Sequence, residues 1–230
     1  MVFAAICAGG RGTRMGSALP KQFLRTADGL PIIVRTVGAF AYSGQVDRIA
    51  VAVPEDRREY TCELIASNFP ARVYRNVSVI SGGGTRMQTL ALLAEHFIAT
   101  APKDETNVIL THDAVRPNID DIMIARNVAA ALSCGAATTV IPAVDTMISS
   151  SDGVFQDGVY DRGKMYNVQT PQTFILEELY GLLTSTPPEE LERFTDAASL
   201  FVSAGKKVRL VPGSRSNIKI TYKEDLAAAP

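Results

Sequence analysis

The sequence predicts an α/β fold built on a mostly parallel, doubly wound β-sheet, from which a β-hairpin arm protrudes. Short apolar, β-branched runs alternate with segments of helical period, which is typical of a parallel sheet with crossover helices. This alternation stops between Asp145 and Phe174, where Asp-Gly pairs at 152–153 and 157–158 indicate a hairpin. The chain has 230 residues, 47% hydrophobic and 20% charged, which is ordinary globular composition. We therefore expect one domain over residues 1–230, with the arm at about 145–170.

Each element follows from a local pattern. An apolar run that stops at a glycine-rich loop predicts the first strand, and Pro31 is a favourable first residue for the first helix. The predicted strands are Val2–Cys7, Asp47–Val53, Val77–Ile80, Val108–Thr111, Thr138–Pro142 and Lys207–Val211. The predicted helices are Pro31–Ala41, Arg57–Asn68, Thr85–Thr100, Ile122–Leu132, Leu176–Leu183 and Glu189–Ala204, before a final turn near Glu224–Leu226.

Composition excludes several classes of protein. Lys and Arg number 23 against 24 Asp and Glu, so the chain lacks the basic excess that proteins binding nucleic-acid phosphates usually carry. Three widely spaced cysteines fit neither a disulfide framework nor a metal site. No run approaches about 18 apolar residues, and the N-terminus resembles a buried strand more than a signal peptide. We expect a cytoplasmic protein without a nucleic-acid or membrane partner.

The first candidate site is the glycine-rich loop after the first strand. Its backbone N–H groups could approach a phosphate closely, and Arg14 and Lys21 would add positive charge. A dinucleotide-binding fingerprint would need glycine where Met15 stands, and a Walker A loop would need glycine where Pro20 stands. A phosphate cradle of another kind remains, beside the alternative of a tight turn with solvated basic residues.

Two further segments end predicted strands. Gly82–Thr89 offers a close backbone approach with Arg86 and Thr89 one helical turn apart, which could read a nucleobase, or could be a flexible turn with a helix cap. Asp113 beside Arg116 suits a magnesium contact or a substrate hydroxyl. His112 is expected to be structural, because the chain has no Gly-x-Ser-x-Gly elbow.

The last candidates lie late in the chain and would individually pass as surface residues. With Arg14 and Lys21 they concentrate cations at strand ends of a nearly neutral chain, which suits an anionic small molecule with more than one phosphate. They are Arg162, Thr170, Thr195, Asp196 and the segment 217–221.

Together these segments resemble the cytidylyltransferases that act on sugar-alcohol phosphates. The matching motifs occur in the family's order over nearly the whole chain. They are AGGRGTRMG with PKQF (8–23), GGGTRMQT (82–89), THDAVRP (111–117), VDTM (144–147), QTPQTF (169–174), TDAA (195–198) and NIKIT (217–221). The resemblance implies a Rossmann-like nucleotidyltransferase fold, CTP and Mg²⁺ as requirements, and a homodimer whose arms reach the partner's active site.

The resemblance also implies roles for particular residues. Those implied to bind the nucleotide are Ala8, Gly9, Gly10 and Gly12 at the triphosphate, Gly83, Arg86 and Thr89 at cytosine and ribose, and Asp113. The implied catalytic residues are Arg14, Lys21 and Lys219. The implied substrate ligands are Asp113, Arg116, Thr170, Thr195 and Lys219, with Thr146 and Arg162 from the arm of the partner. Asp113 is also the implied metal contact, with Mg²⁺ held mainly by CTP phosphates. Relatives often carry an acidic residue where Gly84 stands.

The implied reaction transfers CMP from CTP to a polyol phosphate. A phosphate monoester is largely a dianion at neutral pH and can attack without a general base, so a chain with two histidines is compatible with it. AGGRGTRMG with PKQF, PIIVRTV (31–37), Val115 and Met165-Tyr166 resemble the branch of the family that acts on D-ribitol 5-phosphate. This resemblance implies CDP-ribitol and pyrophosphate as products. The alternative substrates are 2-C-methyl-D-erythritol 4-phosphate, of isoprenoid synthesis, and another polyol phosphate. A non-catalytic nucleotide-binding protein and an NAD-dependent dehydrogenase are the competing classes.

Overall fold

The computed structural model describes residues 1–10 and 19–228, and these residues form a sheet of seven strands with a separate small hairpin. The strands are β1 (Val2–Cys7), β2 (Arg48–Val53), β3 (Val77–Ser81), β4 (Val108–Asp113), β5 (Ala136–Pro142), β6 (Ile148–Ser149), β7 (Gly158–Val159), β8 (Tyr166–Ile175) and β9 (Arg209–Pro212). The helices are α1 (Ile32–Tyr42), α2 (Arg58–Asn68), α3 (Ala71–Tyr74), α4 (Arg86–Ile98), α5 (Asp121–Cys134), α6 (Leu176–Ser185), α7 (Pro188–Leu191) and α8 (Ala197–Ser203). Short 3-10 turns occur at Lys21–Phe23, Glu55–Arg57, Arg162–Lys164 and Lys223–Ala228.

The main sheet has the strand order β3-β2-β1-β4-β8-β5-β9. Its pairs are parallel except those of β8, which runs antiparallel to both β4 and β5. The predicted α/β fold with a mostly parallel sheet is confirmed. Because β1 and β4 are parallel neighbours at the centre, the loops after them meet at one edge, where such sheets bind ligands.

The sequence prediction was wrong about β8, which it assigned partly to the arm and otherwise left without a strand. The first three residues of β8 are exposed, whereas the following six are buried, so the strand shows no single alternation of polar and apolar residues. Pro171 also argues against a central strand, because proline donates no ladder hydrogen bond. The excursion from the sheet therefore covers 143–165.

The arm contains the predicted hairpin, but its turn is longer than an Asp-Gly pair alone predicts. β6 pairs with β7 around an eight-residue loop, 150–157. In this loop the Asp152 carboxylate accepts hydrogen bonds from the backbone N–H groups of Val154 and Phe155, at 2.8 and 2.9 Å. The Asp152–Gly153 pair thus forms a turn inside the loop.

The predicted helix Glu189–Ala204 was also wrong, because the structure has the two short helices α7 and α8 there. Asp196 separates them by capping the second helix, and its Oδ1 accepts a hydrogen bond of 2.8 Å from the backbone N–H of Ser199. An N-cap residue has extended backbone angles, so the preceding helix cannot continue through it.

Helices cover both faces of the sheet. On one face, α4, α6 and α8 bury a core that includes the Phe3–Phe97 and Phe174–Phe201 pairs, each with ring centroids 4.6 Å apart. On the other face, α1, α2 and α5 bury a second core around Phe40. The central strands are therefore fixed from both sides. Among the helices of the described residues, none combines the length and the apolar character that crossing a bilayer would require.

Candidate active site

A cavity of about 430 Å³ opens where β1 and β4 end, at the carboxyl edge of the sheet. This is within the usual size range of small-molecule sites. Its described lining residues are Cys7, Ala8, Gly9, Gly10, Lys21, Gln22, Gly83, Gly84, Thr85, Arg86, Thr89, Asp113, Ala114, Val115, Lys219 and Thr221. Residues 7–10 and 21–22, 83–89, 113–115 and 219–221, which are distant in sequence, therefore converge on one concave surface.

The end of β1 supplies the first wall. Ala8, Gly9 and Gly10 line the cavity as predicted, whereas Gly12 and Arg14 lie outside the described residues. A Cβ built on Gly9 or Gly10 would meet no heavy atom of the described chain within 4 Å. Packing within the described chain therefore leaves room for a ligand directly against this backbone.

Lys21 projects into the cavity from a 3-10 turn that follows Pro20. Its side chain is buried, and Nζ donates a hydrogen bond of 3.0 Å to the backbone oxygen of Ile220. The neighbouring Gln22 donates through Nε2 to the backbone oxygen of Ala8, at 2.6 Å. These contacts join the lysine, the end of β1 and the segment that carries Lys219.

The loop before α4 forms the opposite wall, and its backbone is held by the helix that follows. Thr85 caps α4 by accepting from the backbone N–H of Gln88, at 3.2 Å. Gly83 N–H donates to Thr89 Oγ1 at 3.1 Å, and Gly84 N–H donates to Gln88 Oε1 at 3.0 Å. A Cβ on Gly83 would lie 2.5 Å from the Cβ of Gln88, so only glycine fits here.

Asp113 is the central charged group of the site. Its Oδ1 lies 2.7 Å from Arg86 Nη1, and its Oδ2 lies 2.9 Å from Lys219 Nζ and 3.5 Å from Arg116 Nε. The carboxylate is almost fully buried at the end of β4, whereas the Lys219 side chain is 40% exposed. Three cations thus surround one carboxylate, and the cluster carries an excess of two positive charges.

This arrangement keeps Asp113 ionised. Burial by itself raises the pKa of the carboxyl, but the charges of Arg86 and Lys219 and their hydrogen bonds outweigh it, so the pKa lies far below its usual range. Burial likewise lowers the pKa of Arg86, and the Asp113 charge more than reverses this effect. An anionic ligand would therefore meet fixed positive charge.

His112 lies beneath this cluster and is structural, as predicted. Its Nε2 donates to the backbone oxygen of Arg116, and its Nδ1 accepts from Thr170 Oγ1, both at 3.0 Å. The Thr170 hydroxyl oxygen in turn accepts from the backbone N–H of Asp113, at 3.2 Å. Burial lowers the pKa of His112 to about 4, which keeps the imidazole neutral in this network.

The remaining predicted residues do not line the cavity within the described chain. Arg116 and Thr170 are buried just behind Asp113, in contact with it. Thr195 is exposed beside the α8 cap. Thr146 and Arg162 are exposed on the arm, where Arg162 Nη1 donates to the backbone oxygen of Val144 at 3.0 Å. These two arm residues are therefore not among the described residues that line the cavity of their own chain.

Sequence reasoning missed several lining residues, although most belong to motifs it had singled out. Gln22 and Thr221 lie within PKQF and NIKIT, and Thr85 precedes a helix at the position where a cap is expected. For Cys7 the sequence indicated only the end of a buried strand and no role at a site. Burial raises the pKa of its thiol to about 11, so it is protonated and a poor nucleophile at neutral pH.

Comparison with known proteins places the chain in a family. The family model of IspD, 2-C-methyl-D-erythritol 4-phosphate cytidylyltransferase, matches residues 2–230. A ribitol-5-phosphate cytidylyltransferase of Streptococcus pneumoniae (strain CGSP14) is 38% identical over 230 residues, covering 100% of this chain and 97% of the relative.

Solved structures show the same fold. The 2-C-methyl-D-erythritol 4-phosphate cytidylyltransferase of Francisella tularensis superposes with a TM-score of 0.81 at 24% identity, covering 99% of this chain and 97% of that one. The enzyme of the same name from Thermus thermophilus gives a TM-score of 0.74 at 27% identity, covering 98% and 95%. The family match and the full-length relative show that the chain belongs to the IspD family of cytidylyltransferases and is a CTP-using nucleotidyltransferase.

Proposed function

We propose that this enzyme transfers CMP from CTP to D-ribitol 5-phosphate, giving CDP-ribitol and pyrophosphate. The observation that carries the proposal is the excess of positive charge around Asp113 at a cavity lined by glycine backbone, since this reaction brings two anions together. The relative that is 38% identical over the full chain supports ribitol 5-phosphate as the acceptor. The family model supports 2-C-methyl-D-erythritol 4-phosphate as the second candidate.

The chemistry requires positioning and charge stabilisation more than proton transfer. An oxygen of the acceptor phosphate attacks the α-phosphorus of CTP, a new P–O bond forms, and the bond to the β-phosphate bridging oxygen breaks as pyrophosphate leaves. The acceptor is already ionised at neutral pH, so no base is needed. This agrees with a cavity where the lining thiol is protonated and the nearby His112 is neutral, with both ring nitrogens hydrogen-bonded.

We assign the roles by position around the cavity. The backbone of residues 8–10, with Gly12, would hold the triphosphate. Arg14, Lys21 and Lys219 would stabilise the charge that develops at phosphorus. The remaining assignments are Gly83, Arg86 and Thr89 to cytosine and ribose, and Asp113, Thr170 and Thr195 to the acceptor, with Arg116 behind Asp113.

Mg²⁺ fits this site as an ion held chiefly by the nucleotide. Asp113 is the one carboxylate among the described lining residues, and both of its oxygens already contact cations. Mg²⁺ commonly uses one or two carboxylates together with substrate phosphates and water, which matches such a sparse donor set. When bound with CTP, the ion would neutralise phosphate charge, and Asp113 would be its protein contact.

We further propose a homodimer in which Thr146 and Arg162 of the partner subunit complete the acceptor site. The arm supports this, because its otherwise polar tip exposes two large apolar side chains: Val154 is 75% exposed and Phe155 is 73% exposed. Large apolar side chains in such a protrusion are typical of interaction surfaces.

The described cysteines are free, which is compatible with the expected cytoplasmic location.

The test is Mg²⁺-dependent release of pyrophosphate from CTP, with ribitol 5-phosphate and methylerythritol 4-phosphate supplied separately. We expect strong release with ribitol 5-phosphate alone. Release with methylerythritol 4-phosphate alone would keep the reaction and overturn the acceptor. Silence with both acceptors, in folded protein that still binds CTP, would refute both candidates.

A further inference from the structure

Lys219 lies in a segment that belongs to no helix or strand. Residues 213–221, called here the docked segment, follow β9 and precede the last 3-10 turn. A segment without a hydrogen-bond ladder is held by individual contacts, so the position of its lysine depends on a few bonds. The side chains that make these contacts therefore determine where the Lys219 ammonium lies.

Asn217 is fully buried within the docked segment, as is Ile220. Its Nδ2 donates to the backbone oxygen of Thr170 at 2.8 Å, and lies 3.4 Å from Gln169 Oε1. Its own backbone oxygen accepts from Arg116 Nη1, at 2.8 Å. Asn217 is therefore bonded both to β8 and to the loop that follows β4.

The two catalytic lysines lie close to this point. Lys219 is two residues further on, with its Nζ 2.9 Å from Asp113 Oδ2. Ile220 follows, donating its backbone N–H to Val115 O at 2.9 Å and accepting from Lys21 Nζ at 3.0 Å. A shift of Asn217 would thus move the backbone on which both lysine contacts depend.

The amide of Asn217 is poorly suited to stabilising the fold alone. Its Oδ1 is buried and finds no hydrogen-bond partner among the described residues. A buried, unsatisfied oxygen costs free energy, which offsets what the Nδ2 hydrogen bonds contribute. The arrangement is better explained if the side chain holds a backbone position that the site requires.

We propose that Asn217 is a positioning residue that sets the Lys219 ammonium at the cavity without itself touching substrate. The inference rests on the catalytic role proposed above for Lys219. The Arg116 guanidinium assists, because it bridges the Asn217 carbonyl and the Asp113 carboxylate. Misplacement of a reacting group by about 1 Å can cost on the order of 100-fold in rate, so the effect should be measurable.

The test is a double-mutant cycle of Asn217→Ala and Lys219→Ala, measured as kcat/KM for pyrophosphate release. We expect Asn217→Ala to lower kcat/KM by about 10- to 100-fold when Lys219 is present. In the Lys219→Ala background the same substitution should cause a clearly smaller loss, because only its effect on the contact between Lys21 and Ile220 remains. Equal losses in both backgrounds, or no loss in the first, would overturn the proposal.

Asn107→Ala is the matched control. Asn107 is also buried and donates through Nδ2 to Pro102 O at 2.8 Å and Glu177 Oε1 at 2.7 Å, but it lies at the opposite edge of the sheet. We expect it to lower thermal stability without changing kcat/KM. Hydrogen exchange of peptides covering 213–222 should rise in Asn217→Ala and stay unchanged in Asn107→Ala. Unchanged hydrogen exchange in Asn217→Ala would contradict the inference that Asn217 holds the docked segment in place.

A replacement variant and a second measurement distinguish failure of the role inferred for Asn217 from failure of the proposed function. If Asn217→Ala does not fold, Asn217→Ser replaces it in the cycle, since a hydroxyl retains one donor in less volume. If wild-type protein releases no pyrophosphate with either acceptor, the proposed function fails. The cycle is then measured as affinity for CTP by calorimetry, where coupling between positions 217 and 219 is expected and its absence refutes the inference.

Discussion

At the scale of single residues, the site is organised by an imbalance of charge. Asp113 is one buried carboxylate against Arg86, Arg116 and Lys219. Removing a charged group from water is costly unless partners replace the lost hydration. The Asp113 carboxylate replaces part of the hydration that the three cations lose. The positive charge that it does not neutralise is available to phosphate groups. In the proposed function, this remaining charge is what the cluster would present to the nucleotide.

Lys21 provides a direct test of this charge. We expect Lys21→Ala to fold normally yet to lose about 100- to 1000-fold in kcat, comparable to deleting an oxyanion-hole donor. Lys21→Met is the matched variant, because it keeps an apolar stem in the same buried position and removes only the ammonium. Pyrophosphate release and thermal unfolding of both variants provide the measurement. Unchanged turnover in either would remove Lys21 from the mechanism.

His112 predicts how stability depends on pH. Burial lowers the pKa of its imidazole to about 4, against about 6.5 in an unfolded chain, so on acidification the unfolded chain binds a proton first. The contribution of neutral His112 to the free energy of unfolding is fully present above pH 6.5. It falls between pH 6.5 and pH 4, by about 3 kcal/mol at most.

Urea unfolding at pH 7.5 and pH 5 measures this effect. His112→Gln should be less stable than wild type at pH 7.5, because the imidazole network is lost, but should lose less stability on going to pH 5. The same decrease in both proteins would show that His112 does not contribute to the acid sensitivity.

At the scale of elements, sequence reasoning succeeded where one pattern governed a whole segment. β1 and α1 were predicted to within one residue at either end, because a buried apolar run and a proline-initiated amphipathic helix are local signals. β8 was missed because its environment changes along its length: Tyr166 to Val168 are exposed on the protruding ribbon and the following residues are buried between β4 and β5. No local pattern can report such a change.

The candidate site, like the secondary structure, was predictable only where local sequence patterns determine it. The lining residues Gly9 and Gly83 follow strands and Asp113 ends one, where chemistry is expected in a parallel sheet. Asn217 lies within the predicted segment 217–221, but the sequence indicates no role for it, because its contacts are with residues 47 and 101 positions away in sequence. Contacts of this kind depend on tertiary structure and cannot be inferred from spacing.

At the scale of the whole molecule, the arm and the cavity share the carboxyl edge of the sheet, because β5, which precedes the arm, runs in the same direction as β1 and β4. Arg162 is not among the described residues that line the cavity, and its guanidinium donates to the backbone oxygen of Val144 at the base of the arm. The homodimer proposed above would place Arg162 at the cavity of a second copy. Such an exchanged, self-complementary arrangement is typical of twofold homodimers.

Complementation between two inactive variants tests this exchange. Arg162→Ala and Lys21→Ala should each be nearly inactive, but their mixed dimer has one site with an intact Lys21 and an intact Arg162 from the partner. With random assembly, about a quarter of wild-type activity should return, because half of the dimers are mixed and each has one intact site. Arg162 acting within its own chain would leave the mixture as inactive as its components. The exposed arm residue Lys164 provides the control, since Lys164→Ala should be active without complementation.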